Sequence, residues 1–135
     1  MDDLYGLRMV VEALISAGVA SCIAGSSRPC SGSEHLFSHA VEYVAGKDSG
    51  LHGERVGIGT IMMAKLHGLD WEKIVETLAL FGAPTKGKQI NLTDDEVVQS
   101  LVLASSLRPE RFTILNIEKL DKDKAASLAE AVKVI

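Results

Sequence analysis

From Asp2 to Ala17 the apolar residues Leu4, Leu7, Val10, Val11, Leu14 and Ile15 recur at three- and four-residue intervals, the period of an amphipathic helix. Asp2 or Asp3 is placed to cap its start, and Gly18 to take the left-handed position after its end. Val19–Ala24 is a short apolar run, read most simply as a further helical turn. Residues 25–33 are then too rich in Gly, Ser and Pro for regular structure. Ser31-x-x-Glu34 has the capping-box pattern, in which the hydroxyl takes an amide at N3 and the carboxylate reaches back to the cap amide. A helix carrying His35, Leu36, His39, Ala40 and Tyr43 is therefore expected from near Ser31 to about Gly46, where GKDSG supplies turn residues.

Gly53–Leu66 is the next expected helix. Its Gly57, Gly59 and Thr60 allow close approach of another backbone or a ligand. Each such glycine also lowers helix propensity by nearly 1 kcal/mol, so tertiary packing has to hold this segment. Asp70 caps a helix over Trp71–Phe81 with Ile74, Val75 and Leu78 as a buried stripe, ended by Gly82-Ala83-Pro84. Thr85–Leu92 reads as a polar connection. Thr93-x-x-Glu96 is a second capping box, opening a helix to about Leu107 that buries Val97, Val98, Leu101 and Val102. Pro109 falls at a first-turn position after Arg108, and Phe112–Leu115 is a short apolar run of open type. Asp121 or Asp123 caps a last helix to about Val132. Six helices, short loops and no period-2 segment predict a single all-α domain, a helical bundle with no internal repeat.

Composition narrows the function classes. With 47% hydrophobic and 24% charged residues, the 135-residue chain has the profile of a folded soluble domain. Only 4% are aromatic, so the core falls to Leu, Ile, Val, Ala and Met, with Met62 and Met63 among its fillers. A net charge of −4 with no Lys/Arg cluster gives no reason to expect nucleic acid or an anionic membrane surface as partner. No apolar run is expected to reach the roughly 20 residues that cross a bilayer, and the acidic start is unlike a signal peptide. Cys22 and Cys30 are spaced so that a disulfide is permitted, but nothing else suggests a secreted scaffold; the expectation is a cytoplasmic chain with reduced thiols.

The candidate chemistry lies between Ser26 and Thr60, which holds three of the four histidines. His35 and His39, at i and i+4, share one helix face, and His52 opens the next element, so the chain can fold back to bring all three together. Neutral imidazoles ligate divalent metals, and an imidazole beside the metal can relay a proton. Ordinary surface or capping roles account for such a pattern about as often. His67 sits at a helix end, where the dipole favours a cation and a structural role suffices. Arg28 suits a phosphate but reads more simply as a surface arginine; Arg108 and Arg111 read as ties to nearby carbonyls. Glu34 is explained as a cap, and Glu54 by the helix dipole.

Three stretches, SSRPCSGSEHLFSHA, HGERVGIGTIMMAKLHG and LRPERFTIL, closely resemble the C-terminal helical domain of the sn-glycerol-1-phosphate dehydrogenase family, within the iron-containing alcohol dehydrogenase and glycerol dehydrogenase superfamily. The resemblance runs through nearly the whole chain, with the stretches in the expected order. It implies the helical domain of the dehydroquinate synthase-like fold. It also implies reduction of dihydroxyacetone phosphate to sn-glycerol 1-phosphate with NADH or NADPH, the start of the archaeal ether-lipid backbone. By the same resemblance His35 and His52 correspond to zinc (or other divalent metal) ligands, and His39 to the histidine that contacts substrate and serves catalysis.

The chain also departs from that family. The family's third protein ligand is an aspartate upstream of the SRP loop, in sequence this chain does not contain. Asp2, Asp3 and Asp48 do not match its context, and the nucleotide-binding domain is missing. The resemblance therefore implies a fragment or a shortened product that by itself neither binds NAD(P) nor turns over. Two other readings stand beside it. One is a non-catalytic helical interaction module that covers its exposed face by self-association as a homo-oligomer; the other is a relative acting on glycerol or another polyol.

Overall fold

The computed structural model describes residues 4–135, so the expected caps Asp2 and Asp3 lie outside the described residues. Those residues form seven α-helices and two short 3-10 turns and no strand, in agreement with the all-α expectation. They separate into two compact units, one ending at Gly32 and the other comprising Ser33–Ile135.

The first unit contains α1 (Leu4–Ala24) and a 3-10 turn at Arg28–Cys30. Helix α1 does not stop at Gly18: it runs 21 residues, and Gly25 takes the left-handed position instead, with φ +61°. The apolar run at 19–24 outweighs one glycine's propensity cost, since a continuing helix satisfies backbone groups that a break would leave open. Gly25 N–H donates to the Cys22 carbonyl and Ser26 N–H to that of Ser21, both at 3.2 Å, closing the end. The 3-10 turn is held by Cys30 Sγ donating to the Ala17 carbonyl at 3.4 Å. Cys22 and Cys30 are free thiols.

Continuation through Gly18 has a second consequence. It joins two apolar runs into a helix with mean hydropathy 1.7, long and apolar enough by length and composition to cross a membrane. This corrects the expectation that no apolar run of that length exists, although a soluble core helix passes the same test. None of α1 is buried, and it carries an exposed Arg8–Glu12 pair at 2.7 Å.

In the second unit α2 (Ser33–Ala45) packs most extensively against α3 (His52–Leu66) and α5 (Asp94–Ala104); α4 (Trp71–Leu80) lies on α3, and α7 (Lys122–Ala131) on α5. The short α6 (Ile114–Glu118) is an additional helix that takes up the end of the Phe112–Leu115 run, whose apolar pattern suits a helical turn or a strand fragment equally. The core is Leu36, Phe37, Val41, Ile58, Ile61, Met62, Val97, Leu101 and Leu115, with Val132 and Val134 closing it from the C-terminus. Gly87 N–H donates to the Val134 carbonyl at 3.0 Å, tying that terminus to the second 3-10 turn, Gly87–Ile90.

Several local expectations hold. Asp70 Oδ1 accepts from Lys73 N–H at 2.9 Å and Asp121 Oδ1 from Lys124 N–H at 2.8 Å. Thr93 and Glu96 form the reciprocal capping box, with Thr93 N–H donating to Glu96 Oε2 at 2.8 Å and Glu96 N–H to Thr93 Oγ1 at 3.2 Å. Others change. Helix α2 begins at Ser33, two residues after the proposed cap. Ile74, Val75 and Leu78 are half-buried, because α4 covers one side of α3 and faces solvent on the other. Val102 is exposed. Ile90 and Leu92, inside the supposedly polar connection, are core residues. Pro109 sits in a β-turn closed by Arg111 N–H donating to the Arg108 carbonyl at 2.9 Å, where its fixed φ suits the second position.

Candidate histidine site

The site is set by how closely α3 approaches α2. Gly59 makes that approach possible: a Cβ there would stand 2.9 Å from the Glu34 carbonyl and 3.1 Å from Phe37 Cδ1. The two helices meet with almost no side chain between them at this point. At the other end of the contact, Ser38 Oγ and His52 Nδ1 share a hydrogen bond of 3.0 Å.

The three sequence candidates are brought together in the second unit. The rings of His35 and His52 lie 5.3 Å apart and those of His39 and His52 5.9 Å apart, centre to centre. His39 and His52 are exposed and His35 is half-buried. A Cβ on the neighbouring Gly53 would meet nothing within 4 Å, so the α3 start beside the cluster is open. His67 lies exposed at the far end of the 15-residue α3, about 22 Å along the axis, and takes no part. Arg28 belongs to the other unit.

Each candidate ligand has one ring nitrogen engaged within the protein. His35 Nδ1 pairs with Glu34 Oε1 at 2.8 Å, and His52 Nδ1 with the Ser38 hydroxyl. A carboxylate accepts only, so His35 Nδ1 carries a proton, and in the neutral ring Nε2 presents the lone pair. That is the arrangement by which a carboxylate or hydroxyl orients a metal-ligating histidine. Glu34 thus serves His35, beyond the capping role the sequence suggested.

The donor chemistry fits two ligands of one ion. Imidazoles bound through Nε2 at about 2.0–2.1 Å to a tetrahedral ion place their ring centres roughly 5 Å apart, close to the His35–His52 spacing of 5.3 Å. A complete set is not assembled: among the described residues no group of three or more His, Cys, Asp or Glu is positioned to hold a metal ion.

The surroundings of His39 lower its proton affinity. Partial burial is the largest cause lowering it below the ordinary 6.5, followed by Coulombic interactions with His52, Arg108 and His35; Glu42 opposes them. Near pH 7 its ring is therefore neutral, with one N–H donor and one acceptor nitrogen. Ser38, Glu42 and Arg108 were not singled out from sequence as members of the site. Arg108 lies 69 positions from His39, and only the packing of the 108–111 turn brings its charge into range. For Ser38 a signal did exist: it lies one position from His39 and three from His35 on a helix already carrying the cluster.

The fold and site thus describe an all-α domain presenting a histidine cluster at the contact of two helices. No protein-family model matches the chain. It is 64% identical over 128 residues to the glycerol-1-phosphate dehydrogenase [NAD(P)+] of Nitrosopumilus maritimus, covering 95% of this chain and 36% of that protein. Against the proteins of the same description from Cenarchaeum symbiosum and Aeropyrum pernix it is 58% and 53% identical, over 94% and 96% of this chain and 36% and 37% of theirs. The chain is homologous to the C-terminal third of archaeal glycerol-1-phosphate dehydrogenases. It spans little more than a third of the length of the relatives it matches.

Proposed function

We propose that this chain is the metal- and substrate-binding portion of an NAD(P)-dependent glycerol-1-phosphate dehydrogenase, acting on dihydroxyacetone phosphate and sn-glycerol 1-phosphate in the cytoplasm. The observation that carries it is the convergence of His35, His39 and His52 in a chain 64% identical to a relative bearing that name. His35 and His52 would hold a zinc or similar divalent ion through Nε2, their Nδ1 atoms being engaged by Glu34 and Ser38. Such an ion supplies Lewis acidity to a ketone oxygen. His39, neutral near pH 7 and beside the His52 ring, would contact the substrate oxygen and handle the proton that accompanies hydride transfer from the nicotinamide. Two imidazoles make a weak site, so the chain alone is expected to be inactive, with the third ligand and the nucleotide site supplied by the rest of a dehydrogenase.

Two measurements test this. Zinc titration of the purified chain, beside a His35→Ala/His52→Ala variant, should give binding that the variant loses. Joining the upstream two thirds of a relative should restore NAD(P)H oxidation with dihydroxyacetone phosphate; a folded full-length chain inactive with that ketone sinks the proposal. Turnover of glycerol without the phosphorylated substrate would instead favour a polyol dehydrogenase.

A second reading, a non-catalytic interaction module, is favoured by α1, whose Leu4, Leu7, Leu14 and Ile23 are all more than half exposed. Size-exclusion chromatography with light scattering addresses it, since a clean monomer argues against a homotypic interface.

A further inference from the structure

The second unit buries one permanent charge that the proposed chemistry does not use. Arg55 is only 6% exposed, and its Nε and Nη1 are buried without a hydrogen-bond partner. Its Nη2 lies 3.9 Å from Glu42 Oε2. A guanidinium does not lose its charge on burial, so compensation has to come from a nearby anion. Glu42 provides it, at a separation suited to an ion pair or one intervening water.

The positions of these two residues give the pair its meaning. Arg55 follows His52 by three residues on α3, one helical turn away on the same face. Glu42 follows His39 by three residues on α2, again one turn away. The ion pair therefore joins the turn of α3 that carries His52 to the turn of α2 that carries His39. Apolar packing of α2 on α3 and the close approach at Gly59 set how the helices lie. Beside the histidines the polar ties are the Ser38–His52 hydrogen bond and, one turn further along, this ion pair.

We propose that Arg55 is a positioning residue, and that its ion pair with the partly exposed Glu42 ties α2 to α3 so that the His39 and His52 rings are held at their observed separation. Its significance for catalysis rests on the functional reading above; the clamp itself is a statement about ring geometry and is tested without metal, cofactor or substrate. With two guanidinium nitrogens already lacking partners, rotation of Glu42 into solvent would leave the buried charge uncompensated. That asymmetry keeps the partly exposed carboxylate in place. The planar fork matters as well as the charge, so lysine should substitute only in part.

The experiment is histidine-selective NMR on the full chain: the nuclear Overhauser effect between the His39 and His52 rings, and the imidazole 15N shifts that report tautomer. In Arg55→Met the inter-ring effect is expected to fall at least two-fold and the His52 Nδ1 shift to move, while amide signals around the Thr93 cap stay put. Arg55→Lys should recover part of the effect. Should Arg55→Met fail to fold, Glu42→Ala, at a side chain 39% exposed, removes the other half of the clamp and should give the same ring signature. An unchanged inter-ring effect and tautomer pattern in folded Arg55→Met or in Glu42→Ala overturns the proposal. Absence of zinc binding in the parent chain, with its ring geometry as described, would instead count against the functional reading.

Discussion

Adding one methyl group at each of two glycines in α3 should have opposite effects on stability. Gly57 and Gly59 lie two residues apart in the interior of the same helix, so alanine at either gains the same propensity, about 0.8–1 kcal/mol. What differs is the space. At Gly57 the new Cβ meets the Leu78 methyls at 3.5 and 3.7 Å, ordinary van der Waals contact. At Gly59 it meets the Glu34 carbonyl oxygen at 2.9 Å, Phe37 Cδ1 at 3.1 Å and Glu34 Cα at 3.2 Å. Two of those three atoms are backbone and cannot turn aside, so α2 itself has to move. Overpacking of that kind costs about 1–3 kcal/mol. Gly57→Ala should therefore stabilise by roughly 1 kcal/mol, and Gly59→Ala should destabilise by roughly 1 kcal/mol after its propensity gain. The difference of about 2 kcal/mol isolates packing, since the propensity contribution cancels. With a urea slope of about 2 kcal/mol/M, the two unfolding midpoints should lie roughly 1 M apart, on either side of the parent. Because Glu34 holds His35, Gly59→Ala should also weaken any metal binding, whereas Gly57→Ala should not. Coincident midpoints, or a Gly59→Ala protein as stable as Gly57→Ala, would refute the close-approach reasoning.

Thr93→Ala removes a hydroxyl that accepts from Glu96 N–H, and should lower stability by about 1 kcal/mol in urea unfolding with the slope unchanged. Leu101→Ala empties a core position on α5 that is 1% exposed and should cost about 2–5 kcal/mol, read the same way. The lowered proton affinity of His39 fixes the sign of a pH effect: the unfolded chain takes up this proton more readily than the folded one. Stability from this group is thus complete above about pH 6.5 and is lost as pH falls through its lowered folded value. Urea midpoints from about pH 8 to 5 should show that loss in the parent chain and less of it in His39→Gln. Glu96 is shifted downward chiefly by the Thr93 amide hydrogen bond, so its contribution persists to lower pH and fades below its ordinary value near 4.5. Thr93→Ala should reduce that acid-range slope.

What the sequence determined was local. Helical period placed most of the helices, and short-range hydrogen bonding placed the Asp70, Thr93 and Asp121 caps, because both depend on residues three or four apart. The i,i+4 pair His35 and His39 was legible for the same reason, and identity with its relatives extends along nearly the whole chain. Tertiary structure decided what depends on distant partners. Ile90 and Leu92 are buried because α3, α5 and the 3-10 turn meet around them, although their own segment is polar. Val102 is left 38% exposed in a groove that it lines with Tyr43, Val44 and Lys122, despite a favourable period. Helix α1 ran past Gly18 because a single glycine's cost is small beside an unbroken run of backbone hydrogen bonds. His52 joined the cluster, and Arg55, Glu42 and Arg108 came near it, only when Gly59 let α3 settle on α2 and the Pro109 turn packed. No spacing rule reaches across those separations, because the distance between such side chains is fixed by helix packing and not by the number of residues between them.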